Sequence, residues 1–413
     1  MKNIRKKAKF TCLFMAFTFT FVSCGGATAE KDETTTEETT QTENQVDDVV
    51  DDITSTGANL IKLALLLDTS NSMDGLIEQA KSQLWKIVNA LSEAQKNGEF
   101  AELQISLYEY GNLDLKEEDG FVRQVLPLTD DLDEVSNELF QLNTYGGDEY
   151  CGEVIAQSLS DLEWEDSTGG LQVIVIAGNE PFTQGETDYR KSVERAVDSD
   201  VIVNTIFCGN VEEGIATNWR DGAEISNGFY GNIEMDEATV YIDTPYDDEI
   251  NALNSKLNKT YIAYGSQGNM KLRMQANEDQ NSQYYGSSNA TERTIVKGKK
   301  HMYKNQSWDL VDASDEEDFD INKIKESELP EEMKDMNETE KIKYIDKKKK
   351  EREKIQDKIA GLAKQRADYI VDEKAKISGE ETNHLEDAII DAIKKQAIAK
   401  GFTFEENEAV AQR

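Results

Sequence analysis

The sequence predicts an α/β fold: a three-layer αβα arrangement around a doubly wound, mainly parallel sheet. Apolar runs such as residues 63–67 have no polar interruption, as expected of strands buried on both faces of a sheet. Helical segments of about 10–20 residues separate these runs, which is the spacing of β-α-β units. An apolar content of 38% over 413 residues supports a core in part of the chain and solvated segments elsewhere.

The first 23 residues have the pattern of a signal peptide. A basic start, MKNIRKKAKF, precedes a mostly apolar stretch at residues 10–22, which is shorter than the roughly 20 residues that span a bilayer. The stretch ends in FVSCGG, which resembles the lipobox of bacterial lipoproteins. The resemblance implies cleavage before Cys24, lipid on its thiol and attachment to a bacterial envelope membrane, facing the periplasm or the surface. Ordinary signal cleavage nearby is the alternative.

Residues 24–57 are acidic, rich in threonine and poor in apolar residues, which predicts a disordered tether. The whole chain has a net charge of -37 and a pI of about 4.4. That charge repels nucleic acid and anionic lipid headgroups. We therefore expect no nucleic-acid partner, and membrane contact through the N-terminal lipid only.

The alternating elements predict one domain over residues 58–265. A strand at residues 61–68 precedes a helix at residues 76–91, whose apolar residues recur at helical spacing. The later elements follow in the same alternation: strands ELQISLYEYG and FVRQVLPLT, the capped helix TDDLDEVSNELFQL, strand LQVIVIAG, helix DYRKSVERAVDSD, strand VIVNTIFCG and a closing helix in YDDEINALNSKLNKTYIAYG.

Two further regions follow this domain. Residues 266–328 are rich in Asn, Ser and Gly and predict a polar extension. Residues 329–413 predict a charged helical region. Its apolar residues form a short seam that Arg366 interrupts and a second stripe nearer the end; they are Ile355, Ile359, Leu362 and Tyr369 in the seam, and Leu385, Ile389 and Ile393 in the stripe.

The stretch LALLLDTSNSM places an acid and hydroxyl side chains directly after a buried strand. An aspartic protease would need a second such motif in an all-β barrel, and none is present. A phosphotransferase of the haloacid dehalogenase type would need a second carboxylate at position 70, which is serine. Oxygen ligands for a hard cation fit the residues better. Alternatively, the serines only cap the helix that follows.

Asp68-x-Ser70-x-Ser72 at the carboxyl end of a central strand resembles the metal-ion-dependent adhesion site of von Willebrand factor type A (vWA) domains. The resemblance implies weakly bound Mg²⁺, with Mn²⁺ or Ca²⁺ as alternatives, and a protein partner whose carboxylate fills an open metal position. It also implies a loop ligand, for which Glu149 is the first candidate and Asp148 and Thr144 follow. Where the family normally has an aspartate after the fourth strand, this chain has Asn179 and Glu180, which could act through water.

Two cysteines remain if Cys24 is lipidated. Cys151 follows the glycine pair of the predicted ligand loop, and Cys208 ends a predicted strand. Both positions are expected near the metal edge of the sheet, so a disulfide is a candidate in an oxidising compartment. Two buried thiols are the alternative.

These observations predict a binding module and no enzyme. Neither His301 nor His384 lies within residues 58–265, and no Gly-x-Ser-x-Gly elbow is present, so a hydrolase lacks its nucleophile and base. The leading hypothesis is metal-dependent adhesion or assembly at a bacterial envelope. The alternative is a structural envelope subunit with a vestigial metal site that binds partners through its C-terminal helices. The sequence leaves the oligomeric state open.

Overall fold

The strands follow the apolar runs of the sequence. A computed structural model describes residues 58–164, 169–233, 242–377 and 385–404. The predicted signal peptide and tether, Cys24 and His384 lie outside the described residues. Within them the strands are β1 (Leu60–Asp68), β2 (Ala94–Lys96), β3 (Glu99–Phe100), β4 (Glu102–Tyr110), β5 (Val122–Thr129), β6 (Leu171–Gly178), β7 (Ile202–Cys208), β8 (Tyr230–Ile233) and β9 (Thr403–Phe404).

β1 lies inside a six-stranded sheet of order β5-β4-β1-β6-β7-β8. All neighbouring strands are parallel except β5, which runs antiparallel to β4. Asp68 at the end of β1 is in register with Tyr110, and Leu67 is in register with Ala177. The carboxyl ends of five parallel strands, β4, β1, β6, β7 and β8, therefore meet at one edge, where ligands bind in open α/β sheets.

Helices cover this sheet and extend beyond it. They are α1 (Asp74–Leu91), α2 (Leu132–Gln141), α3 (Cys151–Asp161), α4 (Tyr189–Asp198), α5 (Val211–Ala216), α6 (Trp219–Ile225), α7 (Asp247–Leu257), α8 (Gly268–Tyr284), α9 (Ser287–Gly298), α10 (Leu310–Ala313), α11 (Glu331–Lys334), α12 (Glu338–Ile377) and α13 (Leu385–Ala399). In the described part of the chain, none of them combines the length and apolar content that crossing a bilayer requires.

The sheet has one apolar core on each face, so the predicted three-layer α/β fold is confirmed. On one face, Leu63 and Val173 pack with side chains of α1, α2 and α13. On the other face, Leu66 and Ile176 pack with α3, α4 and Trp219. Because successive side chains of a strand point to opposite faces, β1 and β6 need apolar residues at nearly every position.

The chain returns to the sheet close to its end. Ile389, Ile393 and Ala397 of α13 enter the same core as α1, and β9 pairs with β2. The predicted apolar stripe at these positions therefore covers the sheet itself. The described residues between β8 and α13 contribute to this core as well, through Val296 and Met302.

The helices between β8 and α13 bury charged side chains. Residues 266–328, predicted as a polar extension, include α8 and α9, and most of α9 is buried. Arg293 of α9 lies 2.6 Å from Asp133 and 2.8 Å from Asp279. Arg366 of α12, which interrupts the predicted seam, faces inward and lies 2.7 Å from Asp247. Paired charges thus allow a polar sequence to form packed helices.

The disulfide candidate is wrong in this structure, because Cys151 and Cys208 are both buried free thiols. Cys151 belongs to the core on the α3 face of the sheet, whereas Cys208 belongs to the core on the α1 face. The sheet lies between them. The sequence showed that both residues are near one edge but not which face each side chain would take.

Candidate functional site

The site begins where β1 ends. Asp68 is fully buried, and its Oδ1 accepts a hydrogen bond of 2.7 Å from the backbone N–H of Ser70. The chain then passes through a single 3₁₀ turn, Asn71–Met73, into α1. No side-chain hydrogen bond caps either this turn or α1, so the alternative that the serines serve as helix caps has no support in their contacts.

The two serine hydroxyls lie side by side. Ser70 Oγ and Ser72 Oγ are 3.0 Å apart, and Ser72 Oγ donates a 3.3 Å hydrogen bond to Oδ1 of Asn179. Asn179 follows directly after β6, the neighbour of β1. The parallel register therefore brings an amide oxygen from the next strand end to the hydroxyl pair.

Glu149 reaches the same place from the loop that precedes α3. Its side chain is buried, its backbone N–H donates 2.7 Å to Gln184 Oε1, and its Oε2 accepts 3.3 Å from the N–H of Glu180. The loop can approach this closely because residues 147 and 111 are both glycines. A Cβ on Gly147 would lie 2.5 Å from the carbonyl oxygen of Gly111.

Gly111 itself is confined by the site. Its φ is +78°, and a Cβ there would lie 2.8 Å from Glu149 Cγ and 2.9 Å from Asp68 Oδ1. Only glycine combines an unstrained positive φ with the absence of a Cβ atom. Gly178, at the end of β6, has a similar role, because a Cβ there would lie 3.1 Å from Asp68 Oδ2 and 2.5 Å from the hydroxyl of Tyr110.

The site holds two neighbouring carboxyl groups without a compensating base. In the described part of the chain, no lysine or arginine forms an ion pair with Asp68 or Glu149, and Asp68 Oδ2 is buried without a hydrogen-bond partner. Burial raises the pKa of Asp68. Burial, followed by the adjacent Asp68 carboxyl, raises the pKa of Glu149 to about 10. Two such groups require either a shared proton or a cation.

The donor set fits a hard cation. It consists of two carboxylates, two hydroxyls and the amide oxygen of Asn179, all oxygen, which is the preference of Mg²⁺. Within the described ranges, three or more His, Cys, Asp or Glu side chains nowhere converge as a metal cluster. The site therefore differs from carboxylate-rich or imidazole sites in its dependence on the serines.

Some of the predicted ligands lie outside this group. Thr144 Oγ1 donates to the carboxylate of Asp74, the first residue of α1. Asp148 is exposed and accepts a 3.3 Å hydrogen bond from the Tyr150 hydroxyl. Glu180 reaches Glu149 through its backbone N–H, while its exposed side chain adds negative charge nearby.

Sequence reasoning missed several residues that shape the site. Gly111, Gly178, Tyr110 and Gln184 surround the carboxyl groups or hold the loop of Glu149. A signal existed for the first two, since YEYGN and VIAGN each place a glycine directly at a strand's carboxyl end. Gln184 had no comparable signal, because its contact depends on the path of two loops.

The topology defines an α/β domain that gathers oxygen-bearing side chains at the carboxyl edge of its sheet. Residues 62–217 match the von Willebrand factor type A domain family, and this part of the chain is a vWA domain. Domains of this family are generally interaction modules, commonly in adhesion.

Several solved structures resemble part of the chain. The conserved hypothetical protein BatB from Bacteroides thetaiotaomicron is 14% identical over 42% of this chain and 90% of that chain, with a TM-score of 0.33. An aerotolerance-related membrane protein from Bacteroides fragilis, with multiple mutations to serines, is 16% identical over 42% and 92%, with a TM-score of 0.30. The SpRpn10 VWA domain is 18% identical over 44% and 100%, with a TM-score of 0.31. No curated protein matches the sequence.

Proposed function

We propose that this protein is a lipid-anchored binding module of a bacterial envelope, which captures a protein partner through Mg²⁺ at the end of β1. The observation that carries the proposal is the buried pair of Asp68 and Glu149 beside two serine hydroxyls, with one carboxylate oxygen left unpartnered. A cation supplies the positive charge that no lysine or arginine of the described chain supplies there.

The residues take separate roles in this proposal. Ser70 and Ser72 would hold the cation directly, whereas Asp68, which accepts a hydrogen bond from the Ser70 N–H, would orient Ser70 and act on the cation through water. Glu149 supplies the loop oxygen. A cation held by these residues would attract a carboxylate of the partner as a further oxygen ligand. Asn179, a neutral amide, is at the position where the family normally has an aspartate. The dissociation constant for the free ion is therefore on the order of 10⁻⁴–10⁻³ M.

The alternative, binding through the C-terminal helices, has less support from the contacts of α12. Several of its basic side chains are engaged within the chain: Lys349 pairs with Asp315, Lys358 pairs with Glu249, and Arg352 is buried against Asp309. A helix whose charges are used internally offers fewer of them to a partner.

The test uses the full chain in detergent and Mn²⁺ as a paramagnetic probe. Ser70→Ala combined with Ser72→Ala removes the hydroxyl of the buried Ser70 and that of the exposed Ser72. Because the two hydroxyls bond each other and are removed together, the free energy of unfolding changes by less than about 0.5–1 kcal/mol. The affinity for Mn²⁺ falls by about tenfold or more, which corresponds to roughly 1.4 kcal/mol. Free Mn²⁺ is measured by electron paramagnetic resonance, with Mg²⁺ as competitor.

The matched control is Ser255→Ala, which removes an exposed hydroxyl on α7 outside the site. It leaves Mn²⁺ binding unchanged. If the double variant binds Mn²⁺ as tightly as the control, the hydroxyl pair is not a metal site and the proposal fails.

A further inference from the structure

The loops around the candidate metal site form an acidic surface, which we call the acidic rim. It comprises five segments at the carboxyl edge of the sheet: residues 69–75, 111–121, 142–150, 179–188 and 209–217. Its exposed acids are Asp74, Asp114, Glu117, Glu118, Asp119, Asp148, Glu180, Glu186, Asp188, Glu212 and Glu213. Within these segments Lys116 is the one base, and it lies 3.7 Å from both Glu118 and Asp119.

Apolar side chains interrupt the acidic rim on both flanks of the site. Leu113 is 52% exposed and Tyr145 is 50% exposed. The N–H of Leu113 donates to the Tyr145 carbonyl at 3.2 Å, and the N–H of Tyr145 donates to the Thr69 carbonyl at 2.9 Å. This pair is therefore tied to the turn that carries the serines.

The second apolar pair lies on α5, after β7. Val211 is 46% exposed and Ile215 is 42% exposed. In the sheet order, β4 lies on one side of β1 and β7 lies beyond β6 on the other side. The candidate metal site is thus between two exposed apolar patches, a placement that provides contact area for a partner whose carboxylate enters at the centre.

The Oδ2 atom of Asp68 indicates a ligand at this site independently of the exposed acids. This atom is buried, and Asp68 as a whole is 0% exposed. Its Oδ2 is left without a hydrogen-bond partner among the described residues. The surrounding acids then determine what can approach, because like charges at this distance repel and unlike charges steer association.

We infer that the partner presents a basic segment: one Asp or Glu between apolar residues, flanked by lysines or arginines. This inference rests on the proposed function and specifies the partner of that same site. A second copy of this chain, with a net charge of -37, carries the wrong sign, as do nucleic acid and anionic lipid. Flanking cations offset the repulsion that a bare carboxylate meets from eleven exposed acids.

The test measures fluorescence anisotropy of labelled synthetic peptides on the full chain in detergent with Mg²⁺. The probe peptides are KKLDLKK, its Asp-to-Asn version KKLNLKK, and EELDLEE. We expect KKLDLKK to bind at least about tenfold more tightly than EELDLEE at 0.1 M salt. The ratio falls towards one at 1 M salt, where the Debye length is only about 3 Å.

A charge reversal within the acidic rim tests the preference for a basic peptide by changing the protein instead of the peptide. Glu117→Lys combined with Glu118→Lys changes two exposed acids that we place outside the metal site. It weakens KKLDLKK binding by roughly tenfold and strengthens EELDLEE binding. The matched control, Glu331→Lys combined with Glu332→Lys on exposed positions of α11, changes both affinities by less than about twofold.

The outcomes separate the two proposals. Equal binding of KKLDLKK and EELDLEE, both lost in EDTA, overturns the basic partner and leaves the metal-dependent function intact. Equal binding of KKLDLKK and KKLNLKK, unchanged by EDTA, overturns the metal-dependent function and the carboxylate, while the charge preference of the acidic rim stands.

Discussion

Asp68 and Glu149 are neighbouring buried carboxyl groups at the carboxyl end of β1, and both lie against Gly111, which directly follows β4. They are 81 residues apart in the sequence. Two buried acids without a base are an unfavourable arrangement for stability alone. Their pairing therefore makes the stability of the protein depend on what occupies the space between them: a proton, or a cation.

The metal-free protein should lose stability as pH rises. Burial and Asp68 raise the folded-state pKa of Glu149 from its ordinary 4.5 to about 10. Between these values the folded state binds the proton more tightly, so the free energy of unfolding falls with increasing pH. Glu149→Gln removes this dependence and, without metal, is more stable than wild type by roughly 1–2 kcal/mol near pH 8. Urea unfolding in EDTA, repeated at several pH values between these two pKa values, measures the free energy of unfolding of both proteins.

The control for this prediction is Glu118→Gln, which removes an exposed acid of the rim and keeps the wild-type pH slope. A wild-type slope in Glu149→Gln itself would show that Glu149 is not the group that titrates.

Gly111→Ala should damage both the fold and the metal site. The residue has φ of +78°, and its new Cβ would press on Glu149 Cγ and Asp68 Oδ1. We expect a loss of about 1–3 kcal/mol in the free energy of unfolding and weaker Mn²⁺ binding. Thermal unfolding and Mn²⁺ titration measure the two effects.

Gly361→Ala is the matched control, because this glycine of α12 has open space around its Cβ position. Alanine there is neutral or stabilises the helix by up to about 1 kcal/mol. Similar losses in the two variants would contradict the close approach described for Gly111.

The ion pairs of α12 should differ strongly in their contribution to the free energy of unfolding. Arg366 is buried, with its Nη1 2.6 Å from Glu292 and its Nε 2.7 Å from Asp247. Arg366→Ala leaves two carboxylates without their partner and should cost about 3–5 kcal/mol. Lys358→Ala removes an exposed pair with Glu249 and should cost less than about 0.5 kcal/mol. Chemical denaturation of both variants measures the difference, and equal small losses would show that α12 is not packed as described.

Lipid attachment at Cys24 predicts a simple change of location. Cys24→Ala removes the thiol that would carry the lipid, so the protein should lose radiolabelled palmitate and move to the soluble envelope fraction. Membrane attachment that persists in the variant would exclude this anchor.

The sheet was largely predictable because its signals are local. The strand expected at residues 61–68 is β1, Leu60–Asp68, and its apolar run is buried on both faces as predicted. The site's first elements were predictable for the same reason. Asp68, Ser70 and Ser72 lie within five positions, and the end of a central parallel strand fixes where they lie in the fold.

Contacts between distant segments could not be predicted from the sequence pattern. The sequence of α9, SSNATERTIVKG, looks solvated, yet Arg293 is buried because Asp133 and Asp279 meet it from elsewhere in the chain. In the same way, the apolar stripe of α13 was recognisable as a stripe, whereas its packing against α1 depends on the path of all the residues between. Cys151 and Cys208 show the limit at a finer scale. Cys208 takes its face from the alternation of side chains along β7, whereas Cys151 begins α3 and lies on the face that this helix covers.

The return of α13 to the sheet also has a consequence for biogenesis. Ile389, Ile393 and Phe402 fill the same core as β1, so this core stays open to solvent until the last described residues have been synthesised. Contacts between such distant segments form slowly, because a long loop must close before they contribute. We therefore expect the core on the α1 face to close only after the C-terminal segment has been synthesised and has docked against α1.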